Sequence, residues 1–469
     1  MPPTDEPPVS NTADSPDITV TQLGESGDGG VGLLPASVTG FPRDLWQGSS
    51  PAKLSRLLES VEVEPLPAMQ SLLYTLLLAE AQPPGGPAEG EDLLLTRIDR
   101  LTSLGAVEPA EALVVRTGPD TPALFRRYFD LSLLVGRQDS VCQELMAHPH
   151  LIEDYAPRIY CQALSGDWTV AATMLEGASA VGALSPSEAG LLTRFLDPEM
   201  GADLPLAPPS RPSPLEYRLL EAIGEAPPAA ILPRPFSVIE LSGDAGWKAQ
   251  IEAAERLARM GAVSENRLIG IYTERDPAAS GGVWDRVEAV QSFDDALRAG
   301  DDAKIAETLR VAWATMRDSG LAVPFAKLFG EALLTTGLEG QAASTAREVI
   351  LLSNDYEQAG DAFGGVEDRR GRFLASIARG APEPELARSG MERAVAEGFG
   401  AAELPEDQRR KLDEGRLGEV ILEAMARFAA GAEGDLRDVA QALATLREVG
   451  LEDTARRAAL QLLLLTGRT

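Results

Sequence analysis

Leu164-Ser165-Gly166-Asp167-Trp168-Thr169-Val170-Ala171-Ala172-Thr173-Met174-Leu175 reads as the end of one helix, a tight turn and the start of the next. Gly166 supplies the left-handed residue that ends a helix without steric cost, and Asp167 is placed to cap the successor. Ala171, Ala172 and Leu175 follow at helical spacing, small residues first, so the second helix packs back closely on the first. The pattern recurs at Leu297-Arg-Ala-Gly-Asp301, followed by Ile305, Ala306 and Leu309, and at Leu134-Val-Gly136, followed by Val141 and Leu145. In each case a Leu lies nine positions after the Gly. The unit is an αα-hairpin, and its recurrence predicts an all-α solenoid of antiparallel helix pairs.

Composition points the same way. Of 469 residues, 44% are hydrophobic, enough for a packed interior, while only 5% are aromatic. Dominance of Ala and Leu favours helices over strands, which prefer β-branched and aromatic side chains. From Ser50 onward, apolar helical segments alternate with short turns containing Gly or Pro.

Gly105, Gly136 and Gly166 are 31 and 30 residues apart, and Gly300 and Gly337 are 37 apart. These spacings lie near the roughly 34-residue period of tetratricopeptide arrays. Across most of residues 50–469 the texture resembles tetratricopeptide-like repeats in degenerate form, without that family's Trp–Leu–Gly–Tyr order in any unit. The resemblance implies a curved array offering a concave surface to a peptide or folded partner. The pieces Gly30-Val-Gly-Leu-Leu34, Asp44-Leu-Trp46 and Arg158-Ile-Tyr-Cys-Gln-Ala-Leu-Ser-Gly166 are also similar to those of uncharacterised helical-repeat proteins of alphaproteobacterial envelopes. That second resemblance implies export and no activity.

Four regions are expected. Residues 1–42 form an acidic tail rich in Pro, Gly, Ser and Thr, too poor in apolar surface to order itself; within it, Ile18-Thr-Val-Thr-Gln-Leu23 reads as a short extended piece. Residues 43–200 form a first helical-repeat segment. Residues 201–244 form a hinge, with five prolines in Pro205–Pro214 and an extended arm at Phe236-Ser-Val-Ile-Glu-Leu241. Residues 245–469 form a second helical-repeat segment, interrupted by a Gly-rich loop near 360–366.

The formal charge of −30 excludes the positive footprint that nucleic-acid binding requires, and anionic membranes should repel the chain. The acidity reads first as solubility, with a basic partner as the sharper alternative. No apolar run reaches the 18 residues of a membrane span; the longest, around Leu72–Ala79, reads as a core helix. The opening Met-Pro-Pro-Thr-Asp-Glu has no signal-peptide character, so export implies a leader removed before the first residue.

Both cysteines and both histidines lie within twenty residues: Cys142, His148, His150 and Cys161. A turn near 151–152 puts Cys142 and Cys161 at equal distances along two antiparallel helices, the proximity a disulfide needs. Two buried free thiols are the main alternative. A zinc site would need an unusual ligand spacing with the histidines out in the loop. A disulfide would indicate an oxidising compartment, which for a bacterial chain is the periplasm or cell envelope, with the cytoplasm as the alternative.

Other patterns fare less well. Gly27-Asp-Gly-Gly-Val-Gly32 matches a dinucleotide fingerprint, but Pro35 blocks the helix that must follow, so it reads as a linker. Ser50-Pro-Ala-Lys53 matches the serine–lysine pattern of penicillin-binding proteins without its companion elements, and Ser50 reads as a helix cap. No credible Ser-His-Asp or Cys-His set exists, and Glu252, Glu255 and Glu274 read as solvated helix face. No cofactor, metal or catalytic residue is expected.

The most distinctive stretch sets Trp247 and Trp284, with Lys248, Arg256, Arg275 and Arg286, around the loop Glu274–Gly282. Trp and Arg are favoured at interface hot spots, which makes Trp247, Lys248, Arg275, Trp284 and Arg286 candidate partner-binding residues. Alternatively, both tryptophans plug the junction between the two halves of the chain. The expectation is a non-enzymatic protein–protein interaction scaffold of a bacterial envelope assembly. The runners-up are a peptidoglycan-associated superhelical domain, like that of lytic transglycosylases but lacking the catalytic domain, and a cytosolic adaptor.

Overall fold

Many helices of the chain begin where proline and a small polar residue stand together. Pro51, Pro67, Pro122, Pro186 and Pro214 each occupy a first helical position, where the missing N–H costs nothing. Ser50, Thr121, Ser185 and Ser213 cap four of them, and at Ser185/Glu188 and Ser213/Glu216 both halves of a capping box are made. The computed structural model describes residues 30–85, 87–201, 209–242, 244–362, 368–400 and 402–465. Most of the expected tail, including Ile18–Leu23, lies outside these residues, as do parts of the proline tract and of the Gly-rich loop.

The fold is all-α and solenoid-like, built of consecutive helices packed as antiparallel pairs. Among the described residues the only β-type pairings are isolated bridges, Val31 with Ala81 and Leu34 with Ala79. Gly136, Gly166 and Gly300 take left-handed φ values of 78°, 92° and 65° at the expected hairpin turns. Asp301 caps its helix through the N–H groups of Ala303 and Lys304. Asp167 does not cap; its carboxylate accepts the Gln162 amide at 2.9 Å.

Two expectations change. Phe236–Leu241 is not an extended arm but part of a 3-10 run, Arg234–Leu241. Pro233 and Pro235 remove donors that a sheet ladder would need, and Phe236 and Ile239 are buried. The Arg256 guanidinium holds this region by donating to the carbonyls of Ala229 and Leu232 and to the Ser237 hydroxyl. At the other end, residues 30–42, which composition placed in the tail, are docked. Arg97, 3% exposed, donates to the carbonyls of Val31, Leu77 and Ala79, and desolvation pulls its pKa down to about 10. Three carbonyl dipoles replace water around a guanidinium that has no carboxylate among these partners.

The two ends of the circuit meet. Pro51–Ser60 packs on Leu417–Ala432, and Pro67–Leu78 packs on Glu452–Leu465. The Gly418 N–H donates to the Leu45 carbonyl at 3.0 Å, and the Trp46 indole lies directly over Gly418. Lys53 faces Glu423 at 3.5 Å, while Lys411 and Arg416 hold the neighbouring Glu419 and Glu423 carboxylates. One buried apolar core therefore draws on residues from Phe41 to Val114 and from Ala229 to Leu464, and takes in Leu124, Leu131, Leu134 and Tyr217.

A second core belongs to an excursion from this circuit. It joins Phe125, Phe129, Val141, Ile159, Leu191 and Leu219, and it is carried by six helices from Pro122–Leu134 to Pro214–Ala222. The first and last of these six lie side by side, and Arg218 of the last donates to the Leu133 carbonyl of the first. The excursion is thus an arm whose two feet stand together.

Candidate functional site

The tryptophan–arginine stretch folds into a packed junction. Trp247, which opens Trp247–Ala258, is buried, and its indole N–H donates to the Ile271 carbonyl at 2.8 Å. Its ring centre lies 5.1 Å from that of Trp284, which is half-buried against the core at the start of Val283–Ala299. Arg286, two residues further on, forks onto Glu255 with both bonds at 2.7 Å. Lys248 and Arg275 stay at the surface, paired with Glu252 and Glu274. The sequence-predicted set therefore divides. Trp247 and Trp284 pack together, Arg286 of the same helix as Trp284 joins Glu255, and Lys248 and Arg275 pair at the surface.

Glu255 corrects its expected place on a solvated helix face. It is 1% exposed and also accepts the Tyr272 hydroxyl at 2.8 Å and the Arg259 guanidinium at 3.1 Å. Burial and the adjacent Glu255 carboxylate push the Tyr272 phenol well above its usual pKa, so it stays a donor. Through these bonds one carboxylate ties together three helices, Trp247–Ala258, Glu265–Tyr272 and Val283–Ala299.

Cys142 and Cys161 form a disulfide between Gln138–Ala147 and Tyr155–Leu164, with Cα atoms 4.9 Å apart and both side chains buried. The free-thiol and zinc alternatives are thereby removed. His148 and His150 sit edge to face, 6.2 Å apart, in the exposed connection. Among the described residues, no group of three or more potential ligands is placed to hold a metal. The disulfide staples two consecutive α-helices of the arm and fits an oxidising compartment. No helix among the described residues is long and apolar enough to cross a membrane.

The arm also carries a surface that the sequence did not single out. Of eleven exposed large apolar side chains among the described residues, six fall between Met146 and Val181: Met146, Tyr155, Leu164, Trp168, Val170 and Val181. Trp168 is 48% exposed, with its ring leaning on Phe195, which in turn packs on Tyr160. Trp168–Ala180 buries only Ala171, Leu175 and Ala178, and its outward residues include Thr169, Val170, Ala172, Thr173 and Ala180. Glu176 is its single charged residue, in a chain that is 24% charged. That shortage of charge was the signal available in the sequence; it passed as part of an ordinary repeat helix.

Comparison with protein-family models, with curated proteins and with solved structures gives no match to this chain.

Proposed function

We propose that the chain is a non-enzymatic interaction scaffold of the bacterial envelope, in which the closed helical circuit is a rigid base and the stapled arm engages a protein partner. The observation that supports this most is the outer face of Trp168–Ala180 on the disulfide-bonded arm, where Trp168 and Val170 are exposed and Glu176 is the single charge. A concentration of exposed large apolar side chains on one arm of an otherwise highly charged protein supports a place that another surface covers. Trp168 has the features of an anchor: a large, half-exposed ring already fixed by Phe195 and Tyr160, so that little entropy is lost on burial. The buried disulfide supports an oxidising location, and the absence of a basic patch supports a protein partner over nucleic acid.

The test is cross-linked affinity purification from the native host, comparing wild type with Trp168→Ser/Val181→Ser. A partner retained by the wild type and lost from the variant is the expected result. Retention of the same proteins by both forms would remove the arm from the proposal.

A further inference from the structure

Where the circuit closes, five turns and helix starts surround a cavity of about 440 Å³. It lies between the beginnings of Pro67–Leu78, Glu265–Tyr272, Ala322–Leu333 and Glu452–Leu465, together with the turn at Asn354. This place lies outside the arm, and its lining includes none of Trp247, Lys248, Arg275, Trp284 and Arg286.

Several donors stand on the lining beside apolar residues and the carboxylates of Glu265 and Asp453. Ala322–Leu333 has no side-chain cap at its start, so its positive end faces this region, whereas the start of Pro67–Leu78 is capped by Gln461. Lys327, half-buried on the lining, has no carboxylate within ion-pair reach among the described residues. The Tyr74 hydroxyl is buried without a partner. One turn before it on the same helix face, Gln70 is 4% exposed, and its amide finds only the Met260 sulfur at 3.6 Å. A buried amide and a buried phenol left this way are costly unless something else bonds them.

The opposing charges are accounted for. Asp453 is held by Arg457 at 2.9 Å and accepts the Tyr356 hydroxyl. Arg457 also lies over the Tyr356 ring and donates to the Ser353 carbonyl. Arg259 on the same lining is taken by Glu255 and the Ser319 carbonyl. Glu265 stands in the first turn of its own helix, where the dipole compensates its charge. Among the described lining residues Lys327 is the cation left without a carboxylate partner, inside a protein whose overall charge is −30.

We infer that this cavity is a binding site for a small oxyanion-bearing ligand, a carboxylate or phosphate compound, with Lys327 as its counter-ion and Gln70 and Tyr74 as its neutral partners. The volume lies within the range of ordinary small-molecule sites, which run from about 300 to 1,000 Å³. The site makes no demand on the docking face of the arm, so either proposal can fail without the other.

The experiment is isothermal titration of the full chain with inorganic phosphate and, separately, with succinate, each at low and high salt. Binding of at least one probe, weakened by salt, is expected, and the tighter of the two identifies the anion class. Lys327→Met should lower affinity by about tenfold or more, the loss of one strong charged contact. Tyr74→Phe, which removes a hydroxyl that bonds nothing in the structure, should lower it less while leaving the melting temperature unchanged. Lys304→Met, on an exposed helix elsewhere, should bind as the wild type does. Absence of binding by both probes at millimolar concentration would overturn the inference, and so would equal affinity in Lys327→Met and wild type.

Discussion

The side-chain oxygen of Gln461 accepts the backbone N–H of Ala68 at 2.7 Å, across 393 residues of sequence. Leu66, which precedes that helix, has no oxygen with which to cap it, and the last helix of the chain supplies the missing acceptor. The circuit is therefore closed by a bond that serves both ends. Gln461→Leu keeps the volume and removes the acceptor, leaving a buried N–H unpaired. A loss of about 1–3 kcal/mol is expected, read as a lower urea midpoint with an unchanged slope.

A second contact at the closure is steric. A Cβ on Gly418 would lie 2.6 Å from the Trp46 ring and 2.8 Å from the Leu45 carbonyl. Gly418→Ala gains helix propensity of about 1 kcal/mol, but overpacking costs about 1–3 kcal/mol, and the backbone carbonyl cannot swing away. Net destabilisation is expected in chemical denaturation, with Gly177→Ala on the arm, where a Cβ meets nothing within 4 Å, as the stabilised control.

The charge cluster at the closure gives a pH dependence. Burial would raise the pKa of Glu419, but hydrogen bonds from Arg416 and Lys411 outweigh it and hold the carboxyl below its usual 4.5. The folded state therefore binds this proton less readily than the unfolded one. The stabilisation is present above about pH 4.5 and is lost as pH falls through the lowered value. Glu419→Gln should be less stable than wild type at pH 7, with the gap narrowing below pH 4.5 in paired urea titrations.

Loss of the staple should act locally. Replacing both Cys142 and Cys161 by Ala frees a short loop, at a cost of about 3 kcal/mol in the chain-entropy account. Because the arm has its own core, faster amide exchange is expected in 138–164, with little change in 417–465. Uniform acceleration over both regions would show that the arm and the circuit unfold as one.

Glu255→Gln leaves the Arg286 and Arg259 guanidinium groups without their shared counter-charge. Removing one partner of a buried pair costs about 3–5 kcal/mol; Arg286 and Arg259 are partly exposed, so about 2–3 kcal/mol is expected in thermal and urea unfolding.

The helices and their turns were legible because their causes are local. Pro51, Ser185 and Gly300 act on their immediate neighbours, and periodic Leu and Ala residues declare a helix wherever they occur. Cys142 and Cys161 were legible for a related reason, since equal distances from a turn fix proximity without further information. What was not legible is non-local. Glu255 is one of 72 acidic residues and differs from the rest only through Tyr272 and Arg286, which the fold brings to it. Arg97 finds carbonyls, not carboxylates, so no charge pattern marks it. Phe236–Leu241 has strand composition but no edge to join. The meeting of Trp46 with Gly418 leaves no trace in either segment alone.

An open array of repeats tolerates gain or loss of a unit, because each unit touches only its neighbours. A circuit in which Pro67–Leu78, near its start, and Glu452–Leu465, at its end, bond through Ala68 and Gln461 has no such freedom, since one helix pair too many would pull those ends out of register. The arm is exempt: with Pro122–Leu134 and Pro214–Ala222 standing side by side, helices can be inserted or removed between them without disturbing the base. Related chains should accordingly vary in length at the arm and hold a fixed count everywhere else.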